Sequence, residues 1–147
     1  MSRRNFNGVQ INQSATILEI AGVTIEDCRN RIMAYDESGK VVLAGSGTVI
    51  PIGVALIEAG INDITGKESG KVYDGDDVDI QIKDIGYVLA GTDIAKGAEV
   101  AAMKDGLATT AIDGDYVIGV ALDSAKEDSY CRIQISKYQK SGGTEKS

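Results

Sequence analysis

The sequence predicts an all-β fold, a β-sandwich or small β-barrel of short strands, and three observations carry that prediction. A pentapeptide occurs twice: Ile52-Gly53-Val54-Ala55-Leu56 returns as Ile118-Gly119-Val120-Ala121-Leu122. Turn chemistry is dense, with 18 Gly against a single Pro, and Asp74-Gly75, Asp105-Gly106 and Asp113-Gly114 each read as a tight turn or hairpin, because Gly supplies positive φ at little steric cost. Two segments alternate strictly between apolar and polar residues, Val78-Asp79-Ile80-Gln81-Ile82 and Cys131-Arg132-Ile133-Gln134-Ile135. That is the period-2 signature of a strand with one dry face. No long amphipathic helix competes with this pattern.

The elements follow in order. Residues 1–14 are polar, with Phe6, Val9 and Ile11 as isolated apolar points, and predict a flexible arm. A first strand covers 15–20 and stops near Gly22. Thr24, followed by Glu26 and Asp27, reads as a helix N-cap with room for about one turn; Arg31 to Tyr35 then resumes a strand pattern. Val41-Val42-Leu43 and the run from Ile50 to Leu56 are strands about the Gly45-Ser46-Gly47 turn. Pro51 lacks an N–H, so it marks an edge strand or a strand start. Gly60 to Gly70 is a polar loop. The strands at 78–82 and 87–90 come next, a second copy of the pattern begins near Gly97, and the last strand runs from Tyr130 to Ile135. The result is eight to eleven short strands in a β domain over 15–136, with a flexible tail over 137–147.

The repeat extends upstream of the pentapeptide. Ser38-Gly39-Lys40 matches Asp105-Gly106-Leu107, and Ile32-Met33-Ala34 aligns loosely with Val100-Ala101-Ala102. The halves of this internal pseudo-repeat are placed at about 25–59 and 92–125. Gly39 and Gly106, like Gly53 and Gly119, are expected at equivalent backbone positions. A repeat of this kind describes a scaffold rather than an active site.

Length and composition narrow the function. At 147 residues the chain is one domain, or two small β lobes sharing a core; it buries roughly 70% of its unfolded surface without needing disulfides. It has no His, which removes the usual neutral-pH base and the commonest zinc ligand and excludes Ser-His-Asp and Cys-His catalysis. The net charge is −7, with basic ends around a body of 10 basic and 21 acidic residues. An acidic body repels phosphate, so nucleic acid is not an expected partner. No stretch is long or apolar enough to span a membrane, and the N-terminus has no apolar signal core. Cys28 and Cys131 form no metal or redox spacing; Cys131 reads as a buried free thiol, and a bridge between the two has no positive support.

Other clusters read as turns before they read as chemistry. Asp74, Asp76, Asp77 and Asp79 offer hard oxygens for Ca²⁺, but the spacing lacks the Gly and distant Glu of an EF-hand loop, and a solvated turn is the ordinary reading. No metal or cofactor is expected. Ala102-Met103-Lys104 resembles the modified-lysine motif of biotin-carrier domains, although Ala101 and Asp105 depart from the flanking pattern; Lys104 as a carrier lysine is an alternative. Asp105, Asp113 and Asp115 have no nucleophile, oxyanion hole or phosphate loop beside them, and no enzymatic activity is expected.

One family resemblance rests on residues 72–136. The run from Val88 to Val100 (VLAGTDIAKGAEV), the turn segment Asp105-Gly106-Leu107-Ala108-Thr109-Thr110-Ala111 and the strand Tyr116 to Leu122 precede the final alternating strand Cys131 to Ile135. Together they resemble the decoration, or cement, proteins of tailed-phage capsids. The resemblance implies a β-rich, non-enzymatic protein on the outer surface of the expanded head, often trimeric, bridging major capsid protein subunits. For the contact itself, Arg3 and Arg4 are expected to supply charge-assisted bonds and Phe6, beside Asn5, a buried anchor. A head-fibre or tail component with a receptor- or glycan-binding β module is the alternative, against which the scarcity of aromatic residues, 5% with no Trp, weighs.

Overall fold

Each Gly-bounded apolar run becomes a strand in the computed structural model, which describes residues 15–56 and 69–141. The ten strands are β1 (Thr16–Ile20), β2 (Ile32–Tyr35), β3 (Val41–Leu43), β4 (Pro51–Ala55), β5 (Asp77–Gln81), β6 (Ile85–Leu89), β7 (Glu99–Ala102), β8 (Ala108–Thr110), β9 (Tyr116–Ala121) and β10 (Tyr130–Gln139). They form two five-stranded antiparallel sheets, ordered β1-β5-β4-β2-β3 and β6-β10-β9-β7-β8. In each sheet the two outermost strands touch at one end through a single parallel bridge, Ala21–Val41 or Ala90–Ala108. Neither sheet closes into a barrel, and the sandwich reading holds.

The two sheets have the same topology: adding five to each strand number of the first gives the second. Their fine structure repeats as well. Both second strands carry a register irregularity at matching positions, between Met33 and Ala34 and between Val100 and Ala101. Gly39 and Gly106 both have left-handed φ, +86° and +72°, as a tight hairpin tip demands. Gly53 and Gly119 both lie so close to a neighbouring carbonyl, of Gln81 and of Gln134, that no Cβ fits. The correspondence exceeds the predicted halves 25–59 and 92–125, because β1 matches β6 and β5 matches β10.

Three expectations are corrected. Met33 faces Gly53 as Val100 faces Gly119, so Val100 corresponds to Met33 and not to Ile32; the sequence alignment is one residue out. No helix follows Thr24: Ile25 pairs with Val72 through N–H···O bonds in both directions, and the one helical turn among the described residues is a 3₁₀ turn at Lys104–Gly106. Pro51 is the first residue of β4, the strand start that its missing N–H allows, in a strand inside its sheet. The tail does not start at 137, since β10 continues to Gln139 past an irregularity between Ile135 and Tyr138, and the Lys140 N–H donates to Asp115 O.

Alternation fills two large interiors, beside a small third cluster of Ala101, Ala111 and Val117. The first gathers Ala21, Ile25, Cys28, Met33, Val41, Ala55, Val72, Val78 and Ile80, all from the first half. The second takes Val88, Ile94, Val100, Ile118, Cys131 and Ile133 from the second half, and joins to them Ile32, Ala34, Ala44 and Val54 from the first. Strand β2 is therefore buried on both faces, with Met33 toward its own interior and Ile32 and Ala34 toward the other half. At ~25 cal/mol per Å² of apolar surface, this shared core is the term that joins the halves. Both cysteines are buried and free, and burial pushes the Cys28 thiol up to about 11.

Candidate interaction surface

The junction between the halves shows what this fold uses to bind a neighbour. A turn places Asn30 in left-handed conformation, φ 56°, just before β2. Its side-chain Nδ2 donates to Tyr87 O at 3.0 Å, and its carbonyl accepts from Leu89 N at 3.1 Å. Asn30 thus occupies the edge of β6, which alternation leaves open: the Ile135 N–H donates to Asp84 O and the Ala90 N–H to Ser129 O, so the intervening Tyr87 and Leu89 present their backbone groups away from β10. Around it, Gly106 N donates to Ala44 O at 2.8 Å, Arg31 donates to Asp105 O at 3.0 Å, and Lys137 Nζ donates to Ile52 O at 2.7 Å.

These contacts are not reciprocal. Strand β1, the counterpart of β6, bonds to β5 through the same alternate residues: Ile82 N–H donates to Ala15 O and Ala21 N–H to Asp76 O. Leu18 and Ile20 therefore turn their backbone groups away from β5, to an edge bridged among the described residues at its Ala21 end to Val41, and their side chains are 58% and 39% exposed. Gly39, the counterpart of Gly106, has open space where a Cβ would lie. The halves meet head to tail, and among the described residues nothing fills this second edge at Leu18 and Ile20 as Asn30 fills the first.

A groove of about 290 Å³ runs along the junction, lined among others by Asn30, Leu56, Gln81, Ile85, Tyr87 and Tyr130. Ile85, Tyr87 and Tyr130 are about half exposed, so the rim is aromatic and apolar. Asn30 Oδ1 is buried here without a hydrogen-bond donor. The opposite end of the molecule is polar. Glu99, which stands where the first half buries Ile32, accepts from Lys140 Nζ and from Tyr138 OH, each at 2.5 Å. Lys140 and then Tyr138 hold its carboxyl below the usual range, and the same bond pushes the Tyr138 phenol up to about 12.

The sequence-predicted contact residues Arg3, Arg4, Asn5 and Phe6 lie outside the described residues. The Asp74–Asp79 run is a turn leading into β5: Asp76 Oδ2 accepts from Tyr73 N at 3.0 Å, and Gly75 is left-handed at φ 96°. Among the described residues no three His, Cys, Asp or Glu side chains come together as a metal site would require. Lys104 is exposed at the tip of the β7–β8 hairpin, and Asp115 caps its own turn by accepting from Ile112 N at 3.0 Å. The open β1 edge escaped sequence reading because Thr16-Ile17-Leu18-Glu19-Ile20 carries apolar residues on both faces; a strand with no wet face was the available signal.

No protein-family model matches the chain, and no curated protein is similar to it. Among solved structures it is similar to the head fibre gp8.5 N base of bacteriophage phi29, with a TM-score of 0.61 and 24% identity over 82% of this chain and 92% of that one. The likeness covers most of both chains and shows that they share a fold.

Proposed function

We propose that this protein is a non-enzymatic structural component of a phage virion that binds the outside of the head and stabilises it by bridging major capsid protein subunits, acting as a homo-oligomer, a trimer being favoured. The observation that carries the reading is the fold likeness to a head-fibre base. The turn and strand segments between Val88 and Ile135 that resemble capsid decoration proteins support it independently. A protein that binds only the assembled lattice stabilises the shell by linkage, and an oligomer spanning several subunits multiplies modest contacts. Nucleic acid, membrane, metal and cofactor have no part in this reading.

A second reading is favoured by the same neighbour: a base that anchors a head fibre or a receptor-binding module without cementing the shell. The two separate in one experiment. Purified protein is co-sedimented with expanded and unexpanded heads, and the loaded heads are then heated. Saturable binding to expanded heads with a raised disruption temperature supports cementing. Binding without added shell stability supports an anchor. No binding to cognate heads in either state overturns both.

A further inference from the structure

We propose that a second copy of this chain docks its Lys96-Gly97-Ala98 turn on the open β1 edge at Leu18 and Ile20, repeating between molecules the head-to-tail contact made within one. The inference deepens the homo-oligomer part of the proposed function and identifies its surface.

Three observations carry it. First, the vacant edge is the structural counterpart of one that is filled. Leu18 and Ile20 correspond to Tyr87 and Leu89, whose backbone groups Asn30 engages. Second, the turn that would enter is the counterpart of the turn that fills. Gly97 N donates to Ala121 O as Asn30 N donates to Ala55 O, both residues are left-handed, at φ +88° and +56°, and Lys96 and Gly97 are exposed. Third, charge has diverged between the two settings in a complementary way. The vacant end carries Glu37 where the second half has Lys104, and Glu19 where it has Val88. The entering turn carries the exposed Lys96, where the first half has Arg29, already paired with Asp27 at 2.9 Å. Inside the chain the contact is dry and permanent; between chains it is apolar at Leu18 and Ile20 with opposite charges around it, which makes it reversible and salt-sensitive.

A head-to-tail contact uses two unlike surfaces, one of each per chain, so it closes a ring whose order is set by the rotation between neighbours. A ring of three would be the trimer favoured above.

The test measures the mass of the full chain in solution, without heads. Wild type is expected to sediment as a closed assembly, a trimer being favoured. Leu18→Lys blocks the open edge and Lys96→Glu blocks the entering turn; each is expected to weaken association at least tenfold while leaving the thermal melt of the single chain unchanged. Mixed, the two variants retain one intact edge and one intact turn between them, and a one-to-one pair is expected. A wild-type monomer, a variant that keeps the wild-type mass, or a mixture that stays monomeric overturns the proposal. Assembly without binding to heads would leave the contact standing and remove the capsid reading alone.

Discussion

Where the first half buries Ile32 completely, the second half carries Glu99 in a clasp with Tyr138 and Lys140. Where the first half offers Asn30 to its neighbour, the second offers Gly97 to solvent. Yet the two halves have the same five-strand order, the same irregularity in the second strand and the same glycines at the hairpin tip and the close strand crossing. The difference teaches that topology here is fixed by interior alternation and turn glycines, while the outward faces are free to specialise. One face became the seam of the molecule and its counterpart became an end.

Exchanging residues between the halves breaks or sharpens that comparison. The largest effect is expected from Ile32→Glu, which puts the second half's residue into the seam. An unpaired buried carboxylate there costs on the order of 4 kcal/mol or more, read from urea unfolding. The reverse exchange, Glu99→Ile, falls at a part-exposed end and is expected to stay within about 1 kcal/mol of wild type. Next come the hairpin tips. Gly39→Ala meets only the left-handed strain of roughly 1–2 kcal/mol, since its space is open. Gly106→Ala adds a Cβ 2.7 Å from Ile32 O and is expected to cost clearly more in the same assay. A smaller loss, about 1 kcal/mol, follows Asn30→Gly, which copies Gly97 and removes the bond to Tyr87 O while keeping the left-handed backbone comfortable.

The smallest effect is a titration. The carboxyl of Glu99 is held below its unfolded value, so its contribution is complete above the unfolded pKa and is lost as pH falls through the lower folded one. Stability should therefore decline on the acid side through this group. Carboxyl NMR should find Glu99 titrating below an ordinary glutamate, and Lys140→Ala should move it upward. An unchanged Glu99 titration in that variant would mean that the clasp is not the cause.

Much of this was legible in the sequence. Val78, Ile80, Cys131 and Ile133 announce inward faces by strict alternation, and the Asp-Gly pairs at 74–75, 105–106 and 113–114 each place a left-handed glycine. The repeat was visible where interior and turn both repeat, but not at β1/β6 or β5/β10. There Val78 and Cys131, or Ile80 and Ile133, share only apolar character, while Asp77 and Tyr130 point outward and have diverged. The one-residue misalignment at Val100 has a similar origin. Val100, Ala101 and Ala102 are all buried, so no wet residue marks which face is which. The seam itself was illegible because Asn30 acts through conformation and a distant strand edge, neither of which leaves a local pattern. The strand past Ile135 was missed because Ser136-Lys137 reads as solvent-facing, and the irregularity there resets the alternation.

The placement of β10 also bears on how the molecule would carry load. It lies between β6 and β9, paired with β6 over Tyr130–Gln134 and with β9 at Ile133 to Ile135 and again at Tyr138 and Gln139. Tension applied to the chain beyond Ser141 along the strand axis would load the ladder to β9 first and then the ladder to β6, both in shear. Tension applied through the residue before Ala15 meets β1, held by a single partner, β5, along one side. The protein is therefore built to be mechanically strong at one terminus and compliant at the other. Pulling a tethered chain from each end in turn should find the higher unfolding force at the C-terminal side.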